Sequence, residues 1–166
     1  QGGLTSAVYD AVRPDPTDEM VLMGIDILES GCHDAVIGLG GGSPIDAGKA
    51  IAVMAWNSRD LQDYRPPSIF NGLGIPMLAI PTTAGTGTEV THHTVLIHNA
   101  TREKISCRGE GFVPNAAIID YELSLSKPRR LIADNALDTL THAIEAYVSR
   151  KATLYSDRLA LDCMRL

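Results

Sequence analysis

Continuous apolar runs alternate along the chain with segments whose apolar residues recur every three or four positions. The runs at residues 35–39, 76–80 and 117–120 predict strands that are covered on both faces, as in a parallel sheet. A helical segment follows Thr17, which is the predicted N-cap, and Gly31 is predicted to end it. Strands that alternate with helices indicate an α/β fold built on a parallel sheet.

Helical spacing also fills the end of the chain and predicts a second, all-α region. We therefore divide the sequence into an α/β domain at residues 1–126 and the beginning of a helical domain at residues 127–166. A short strand is predicted at residues 7–9 and a β-rich segment at residues 89–98. The helical pattern runs to Leu166 and the chain has no initiator Met, so truncation at both ends is expected.

A run of glycines at residues 40–42 follows the first buried strand and precedes a helix. Ser43 is the predicted N-cap, and Asp46 can close a capping-box-like pair with it. The helix N-terminus then offers free N–H groups, which suit a pyrophosphate. The loop matches neither GxGxxG, because Ile45 replaces the last glycine, nor a P-loop that would use Lys49. A tight turn with close strand–helix packing is the competing interpretation.

A second loop of small polar residues, PTTAGTGT at residues 81–88, follows the second buried strand. We expect it to lie beside the glycine loop at the carboxyl ends of parallel strands, where open α/β sheets bind ligands. Threonine hydroxyls and backbone N–H groups can donate hydrogen bonds to phosphate or ribose. Two such loops on one sheet favour a nucleotide cradle over two structural turns.

A carboxylate and an imidazole lie four residues apart at Asp138 and His142. On a helix they share one face, where both can bind one divalent metal ion. Asp134 and Glu145 fall on the same arc, and the rest of this helix is mostly apolar and is expected to be buried. Two ligands do not complete a metal site, so the others must come from elsewhere. A solvated polar arc is the alternative interpretation of the pair.

Charge and composition narrow the classes of function. The chain has 166 residues, the size of one ordinary domain, and a net charge of −6 with no block of basic residues. This balance argues against nucleic acid and against anionic membrane surfaces as partners. No apolar run has the length of a membrane-spanning helix. The three isolated cysteines are typical of reduced thiols, so a cytoplasmic location is expected.

Four motifs, taken in order, resemble the iron-containing (group III) alcohol dehydrogenase family. VYDAVRPDPT at residues 8–17 is similar to the family's VYDGVxPNPT, and GGGSPIDAGKA at residues 40–50 is similar to GGGSPxDxAKA. PTTAGTGTEVT at residues 81–91 is similar to PTTAGTGSEVT, and DTLTHAIEAY at residues 138–147 is similar to DALTHAIEAY. The resemblance implies a Rossmann-like α/β nucleotide-binding domain followed by the start of an all-α metal-binding domain.

The resemblance also implies the site residues and the chemistry. NAD or NADP is expected on one set of residues, namely Asp15, Gly41, Gly42, Ser43, Asp46, Thr82, Thr83, Thr86, Val95 and Lys104. Asp138 and His142 are the implied ligands of Fe²⁺, or of Zn²⁺ in some members, with two further histidines beyond this chain. The implied activity is hydride transfer between a small or primary alcohol or aldehyde and NAD(P), with no separate catalytic residue. The resemblance also allows a homo-oligomer.

The chain departs from the family pattern at single positions. Asp15 replaces an asparagine and adds a negative charge near the expected cofactor, and Gly48 replaces an alanine and should weaken its helix slightly. The resemblance also implies that this chain lacks the family's first βα unit, and with it the position that discriminates NAD from NADP. Relatives in the same superfamily remain alternatives: glycerol dehydrogenase, dehydroquinate synthase and the metal-free maleylacetate reductase. A nucleotide-binding fragment without a competent active site is another.

Overall fold

The computed structural model describes residues 3–165, so Gln1, Gly2 and Leu166, and with them the expectations about the two ends, lie outside the described residues. The chain forms two compact units. The first comprises Gln1–Thr82 and Gly87–Asp120, and the second comprises Thr83–Thr86 and Tyr121–Leu166.

Among its described residues, the first unit contains two α-helices and five strands. In chain order they are α1 Asp18–Ser30, β1 Val36–Gly40, α2 Gly42–Met54, β2 Met77–Pro81, β3 His93–His98, β4 Glu103–Arg108 and β5 Ala116–Ala117. Strands β1, β2 and β5 form a parallel sheet in the order β1-β2-β5, whereas β3 and β4 form an antiparallel hairpin. The parallel sheet confirms the predicted α/β fold class, while β4 was not predicted.

Helix α2 lies at the centre of the first unit. Its small and apolar residues are buried almost continuously from Ile45 to Met54. One of its sides packs into the main hydrophobic core with residues of α1 and the hairpin, such as Val21 and Leu96. Another packs on the sheet through a smaller cluster that includes Met77. Ser43 and Asp46, the polar residues near the start of this helix, are therefore held on a rigid element.

The predicted boundaries of α1 are confirmed. Thr17 is the N-cap of α1, and its hydroxyl oxygen accepts a hydrogen bond from the Met20 N–H at 3.3 Å. Gly31 is the C-cap. The strand predicted at residues 7–9 is wrong, because these residues belong to no regular element. The Tyr9 hydroxyl instead donates to the Met20 carbonyl at 2.8 Å and fixes the segment against α1.

Burial of the sheet differs from the prediction. Ile37 and Leu39 on β1 are 64% and 57% exposed, and the third strand is only Ala116–Ala117, followed by Ile119 at 71% exposure. The first two runs correctly predicted strands, whereas the third overlaps its strand at Ala117 alone. Cover on both faces was wrong for the residues described. The physical reason is that α2 packs on one face of this sheet, and the structure describes no second layer on the other.

The second unit contains α3 Arg129–Val148 and α4 Leu154–Arg165, which pack against each other. This confirms the predicted helical region. The expectation that most of α3 is buried was wrong, because Ala143 is the one buried residue of this helix and Leu137 is 63% exposed. Among residues 3–165, no helix combines the length and the apolar character needed to cross a bilayer.

Candidate functional site

The glycine loop, residues 40–42, lies beside the first two residues of the second loop in the first unit. This second loop, residues 81–88, is called the threonine loop. Gly40 ends β1 and pairs with Pro81 of β2, and the Thr82 N–H donates to the Gly40 carbonyl at 2.8 Å. Gly40 has φ of +144°, and a Cβ at this residue would lie 2.8 Å from Cγ of Pro44. The turn therefore requires glycine here. The predicted adjacency of the two loops at the carboxyl ends of parallel strands is confirmed.

The start of α2 differs in detail from the prediction. The helix begins at Gly42 with Gly41 as its N-cap, so Ser43 lies inside the first turn and is not the cap. The extended backbone of Gly41 starts the helix earlier than a serine cap would. No side chain in the described part of the chain caps this N-terminus. Its first N–H groups therefore point out of the helix without a side-chain acceptor, as an anion site requires.

Asp46 joins α2 to the segment after the threonine loop. Its carboxylate accepts hydrogen bonds from the Val95 N–H at 3.1 Å and from the Thr88 hydroxyl, and its carbonyl accepts one from the Thr94 hydroxyl at 2.8 Å. Burial raises the pKa of the Asp46 carboxyl, and these carboxylate hydrogen bonds together with the Lys49 charge oppose that shift. The predicted capping-box pair with Ser43 was wrong, because the carboxylate is bonded elsewhere.

Lys49 is a residue of this region whose role the sequence did not reveal. It is 1% exposed, and its ammonium donates to the Thr91 and His93 carbonyls at 2.9 and 2.8 Å. It also contacts the hydroxyls of Thr88 and Thr91 at 3.1 and 3.2 Å. Burial lowers the pKa of Lys49 to about 8. A single charge inside the otherwise small and apolar run of α2 was the signal that could have revealed it.

Asp15 and Lys104 form an ion pair on the surface of the first unit. Asp15 has φ of +57°, and its carboxylate lies 3.0 Å from the Lys104 ammonium. The neighbouring Pro16 carbonyl accepts a hydrogen bond from the Ile97 N–H at 2.8 Å, and Ile97 pairs with Lys104 across the hairpin. The charge that Asp15 adds at this family position is therefore balanced by an adjacent cation.

The structure brings most of the predicted nucleotide residues into the first unit and places two outside it. Asp15 forms an ion pair with Lys104, and the Asp46 carboxylate accepts a hydrogen bond from the Val95 N–H. Thr82 and the residues at the start of α2 meet at the two loops. Thr83 and Thr86 belong to the second unit.

The predicted metal pair lies on α3 in the second unit. His142 Nε2 and Asp138 Oδ1 are 3.8 Å apart, and both side chains are about half-exposed. His142 Nδ1 lies 3.1 Å from the Gly85 carbonyl oxygen. One divalent ion bound to both atoms at about 2.0–2.2 Å would fit the gap, so the pair suits a borderline metal such as iron or zinc. Residues 3–165 contain no cluster of three or more metal-binding side chains.

One polar atom close to this pair was not expected. The Asn135 side-chain nitrogen is buried, and it has no hydrogen-bond partner among the described residues. Asn135 lies one turn before Asp138 on α3, and its main-chain carbonyl accepts from the Thr139 hydroxyl at 2.8 Å. A buried donor without a hydrogen-bond partner lowers the stability of a fold, so such groups are rare. The Asn135 amide is therefore an unusual group beside the metal pair.

Two family models match the chain in succession. The model described as iron-containing alcohol dehydrogenase matches residues 1–121. The chain belongs to the iron-containing alcohol dehydrogenase family. A model for the C-terminal part of the Fe-containing alcohol dehydrogenase family matches residues 132–166.

Relatives of this family match the entire chain at moderate identity. The NAD-dependent methanol dehydrogenase of Bacillus methanolicus is 38% identical over 166 residues, covering 100% of this chain and 44% of that protein. The 1,3-propanediol dehydrogenase of Citrobacter freundii is 37% identical, covering 100% of this chain and 43% of that protein. The chain thus spans less than half the length of these iron-containing dehydrogenases.

Solved structures of the family share the fold. A 1,3-propanediol oxidoreductase superposes with a TM-score of 0.90 at 37% identity over 93% of this chain and 41% of its own. Sulfoacetaldehyde reductase from Bifidobacterium kashiwanohense, solved with NAD⁺, gives a TM-score of 0.90 at 32% identity over 96% of this chain and 43% of its own. The fold is therefore that of the iron-containing alcohol dehydrogenases.

Proposed function

We propose that this chain carries part of a metal-dependent alcohol dehydrogenase that transfers hydride between a primary or small alcohol, or its aldehyde, and NAD(P). The observation that carries the proposal is the His142–Asp138 pair, whose Nε2 and Oδ1 atoms are 3.8 Å apart on one helix. A chain with the family's nucleotide loops and this pair has one part of each of the two binding regions that a metal-dependent dehydrogenase needs.

The nucleotide assignment is supported by the start of α2. The N–H groups of Gly42 and Ser43 lie in the first turn without a side-chain cap, so they can donate to a pyrophosphate. Thr82 lies next to them through its bond to Gly40. Asp46 fixes the main chain of Val95, which makes it a support for the cofactor surface as well as a candidate contact.

The remaining predicted contacts come from two other parts of the chain. Lys104 supplies a cation, which Asp15 orients through the ion pair at 3.0 Å. Thr83 and Thr86 are proposed as further contacts from their family positions, and both belong to the threonine loop. Together these residues would hold an anionic dinucleotide by main-chain donors and one cation, without a phosphate-binding lysine at the P-loop position.

The metal assignment is supported by the donor set of the pair. Asp138 would contribute a charged oxygen and His142 a neutral imidazole nitrogen, a mixture that suits Fe²⁺ and also accepts Zn²⁺. When bound, the ion supplies Lewis acidity toward the substrate oxygen, and NAD(P) supplies the hydride donor or acceptor. The protein residues hold both groups in place, and no side chain of this chain is assigned a separate catalytic role.

The substrate class follows from the relatives. The dehydrogenase from Bacillus methanolicus is named for methanol, that from Citrobacter freundii for 1,3-propanediol, and a reductase of Escherichia coli for lactaldehyde. These three named substrates are short alcohols or aldehydes, whereas a relative from Geobacillus thermodenitrificans is named for long-chain alcohols. The proposed substrate is therefore a primary or small alcohol or its aldehyde. The expected homo-oligomer, the cytoplasmic location and the exclusion of nucleic acid and membrane partners stay predictions.

The domain division is proposed in the same way. We assign residues 1–126 to the NAD(P)-binding domain and residues 127–166 to the beginning of the metal-binding domain. Support comes from the two family models, which match residues 1–121 and 132–166. The compact units divide near the same place, after Asp120, although the threonine loop contributes to both.

Metal uptake tests the proposal directly. Equilibrium dialysis of the chain against Fe²⁺ under anaerobic conditions is expected to show binding that Asp138→Ala and His142→Ala each remove. Asp134→Ala is the matched control, because this aspartate lies on the same helix and pairs only loosely with Arg130 at 4.0 Å. In the full-length protein, the first two substitutions should also abolish metal-dependent oxidation of NADH by a short aldehyde. Full activity in both variants would refute the metal assignment.

A nucleotide-binding fragment is the second candidate function. The specific observation in its favour is that residues 3–165 offer two metal ligands and no third. Fluorescence titration of the chain with NADH separates the two candidates when it is combined with the metal dialysis. Binding of NADH without any uptake of Fe²⁺ favours the fragment, whereas uptake that depends on Asp138 and His142 favours the dehydrogenase half-site.

A further inference from the structure

We propose that Gly85 is a positioning residue for the metal pair, an inference that rests on the proposed metal-dependent function. Its carbonyl fixes the His142 ring so that Nε2 is the metal-binding nitrogen. Its lack of a side chain also leaves room for the Asp138 carboxylate. The threonine loop, assigned to the nucleotide by its sequence, thereby also supports a metal ligand.

The Gly85 carbonyl decides which nitrogen of the His142 ring carries the proton. A neutral imidazole has one N–H donor and one lone pair, and a carbonyl oxygen can only accept. Because Nδ1 lies 3.1 Å from the Gly85 carbonyl, Nδ1 carries the proton and donates to it. Nε2 therefore keeps its lone pair. It faces Asp138 Oδ1 at 3.8 Å, which is too long for a hydrogen bond and leaves space for an ion.

The same contact affects the strength of His142 as a ligand. A hydrogen bond from the far nitrogen of a ligating histidine fixes the tautomer and ring orientation and raises the basicity of the other nitrogen. Loss of such a partner typically weakens metal binding by about 10–100-fold. The Gly85 carbonyl occupies this position for His142. A change that moves the Gly85 backbone should therefore act on metal affinity without removing a ligand.

A side chain at position 85 would press against α3. A Cβ on Gly85 would lie 3.1 Å from Asp138 Oδ2 and 3.3 Å from the main-chain oxygen of Asn135. Both contacts are tight, so the Asp138 carboxylate, the loop or α3 would have to shift by a few tenths of an ångström, about as far as needed to disturb the metal pair. The backbone of Gly85 lies outside the region that favours glycine, so contact and not conformation accounts for glycine here. Gly87 is the opposite case, with φ of +63° and no atom within 4 Å of the point that a Cβ would occupy.

Nuclear magnetic resonance of the metal-free chain, labelled with ¹⁵N-histidine, tests the tautomer without any metal. Spectra are recorded at a pH where the imidazoles are neutral, and His142→Gln assigns the His142 signals. The expected result is the Nδ1–H tautomer. An Nε2–H tautomer, or exchange between both, would overturn the inference. This measurement needs no substitution at Gly85, so it stands even where a loop variant folds poorly.

A zinc titration of the same samples tests the positioning role. Gly85→Ala is expected to lengthen the hydrogen bond from Nδ1, to raise the population of the Nε2–H tautomer and to weaken the Zn²⁺ response of His142 by up to about 10-fold. Ala84→Ser is the matched control, because it adds one heavy atom at the adjacent, exposed position and should change neither. An unchanged tautomer and an unchanged zinc affinity in Gly85→Ala would refute the inference. A His142 signal that ignores zinc in every sample would instead overturn metal binding by this chain and favour the nucleotide-binding fragment, and the metal-free tautomer distinguishes the two failures.

Discussion

Replacement of Lys49 by Met removes a buried ammonium and keeps an unbranched side chain. The change leaves the Thr91 and His93 carbonyls, now bonded at 2.9 and 2.8 Å, without that donor. An unsatisfied buried acceptor costs about 1–3 kcal/mol, so the two together cost about 2–6 kcal/mol. Against this, burial has lowered the lysine pKa from 10.5 to about 8, which corresponds to about 3 kcal/mol of desolvation that methionine does not suffer. The net loss of stability at pH 7 is therefore up to about 3 kcal/mol.

The pH dependence gives the sharper test. Lys49 titrates near 10.5 in the unfolded chain and at about 8 in the folded one, so the unfolded chain binds more protons between these pH values. The free energy of unfolding of the parent protein should therefore rise with pH in this window, by at most about 1.4 kcal/mol per pH unit. Lys49→Met lacks this titration. The stability gap between the two proteins should widen from pH 8 to pH 10.

Urea unfolding, followed by far-ultraviolet circular dichroism at pH 7, 8.5 and about 10, measures this gap. Lys151→Met is the control, because it makes the same substitution at an exposed lysine. The other titrating groups are common to the proteins, and those that do not interact with Lys49 cancel in the difference; Asp46 and His93 are the neighbours that do interact with it. A gap for Lys49→Met that shrinks as the pH rises would refute the reasoning, because it would mean that the surrounding oxygens raise the pKa of the ammonium more than burial lowers it.

Three further substitutions or reactions have simple expected outcomes. Thr17→Ala should lower the free energy of unfolding by about 1 kcal/mol in a urea titration, because it removes the cap of α1. Asp15→Asn should change stability by less than about 1 kcal/mol and should tighten NADH binding at low salt, with the gain shrinking as salt is added, because it frees the exposed Lys104 charge. Burial raises the pKa of the Cys107 thiol to about 12, so a thiol reagent at pH 8 should spare it and modify the exposed Cys32, a result that Cys32→Ser checks.

Features that depend on neighbouring residues in the sequence were predicted well. The Thr17 cap and the Gly31 stop of α1 are read from single residues, and the structure places both as predicted. The apolar runs predicted β1 and β2 within one residue of their bounds, and the adjacency of the two loops follows from parallel pairing. These features need only backbone preferences and the geometry of a parallel sheet.

Features that depend on distant partners were not predictable from local rules. A serine before a proline is a good N-cap by local preference, yet α2 begins at Gly42 and its Asp46 is bonded to Thr88 and Val95. Lys49 was considered only as a phosphate-binding lysine, and its acceptors lie about forty residues further along the chain. The prediction that α3 is mostly buried was wrong for the same reason. An apolar pattern does not show which other part of a protein covers the helix.

The two glycines of the threonine loop show the difference between a role that a sequence motif predicts and a role that depends on contacts with distant residues. In sequence, Gly85 and Gly87 are equivalent small residues of one nucleotide motif. Gly87 has φ of +63° and serves the backbone, whereas Gly85 serves a contact with α3, where its carbonyl lies 3.1 Å from His142 Nδ1. An alanine at Gly87 should therefore act through backbone strain, and an alanine at Gly85 through the metal pair. Since the local sequence assigns both to the nucleotide, only the difference between the two variants in metal affinity can show that one loop supports two kinds of site.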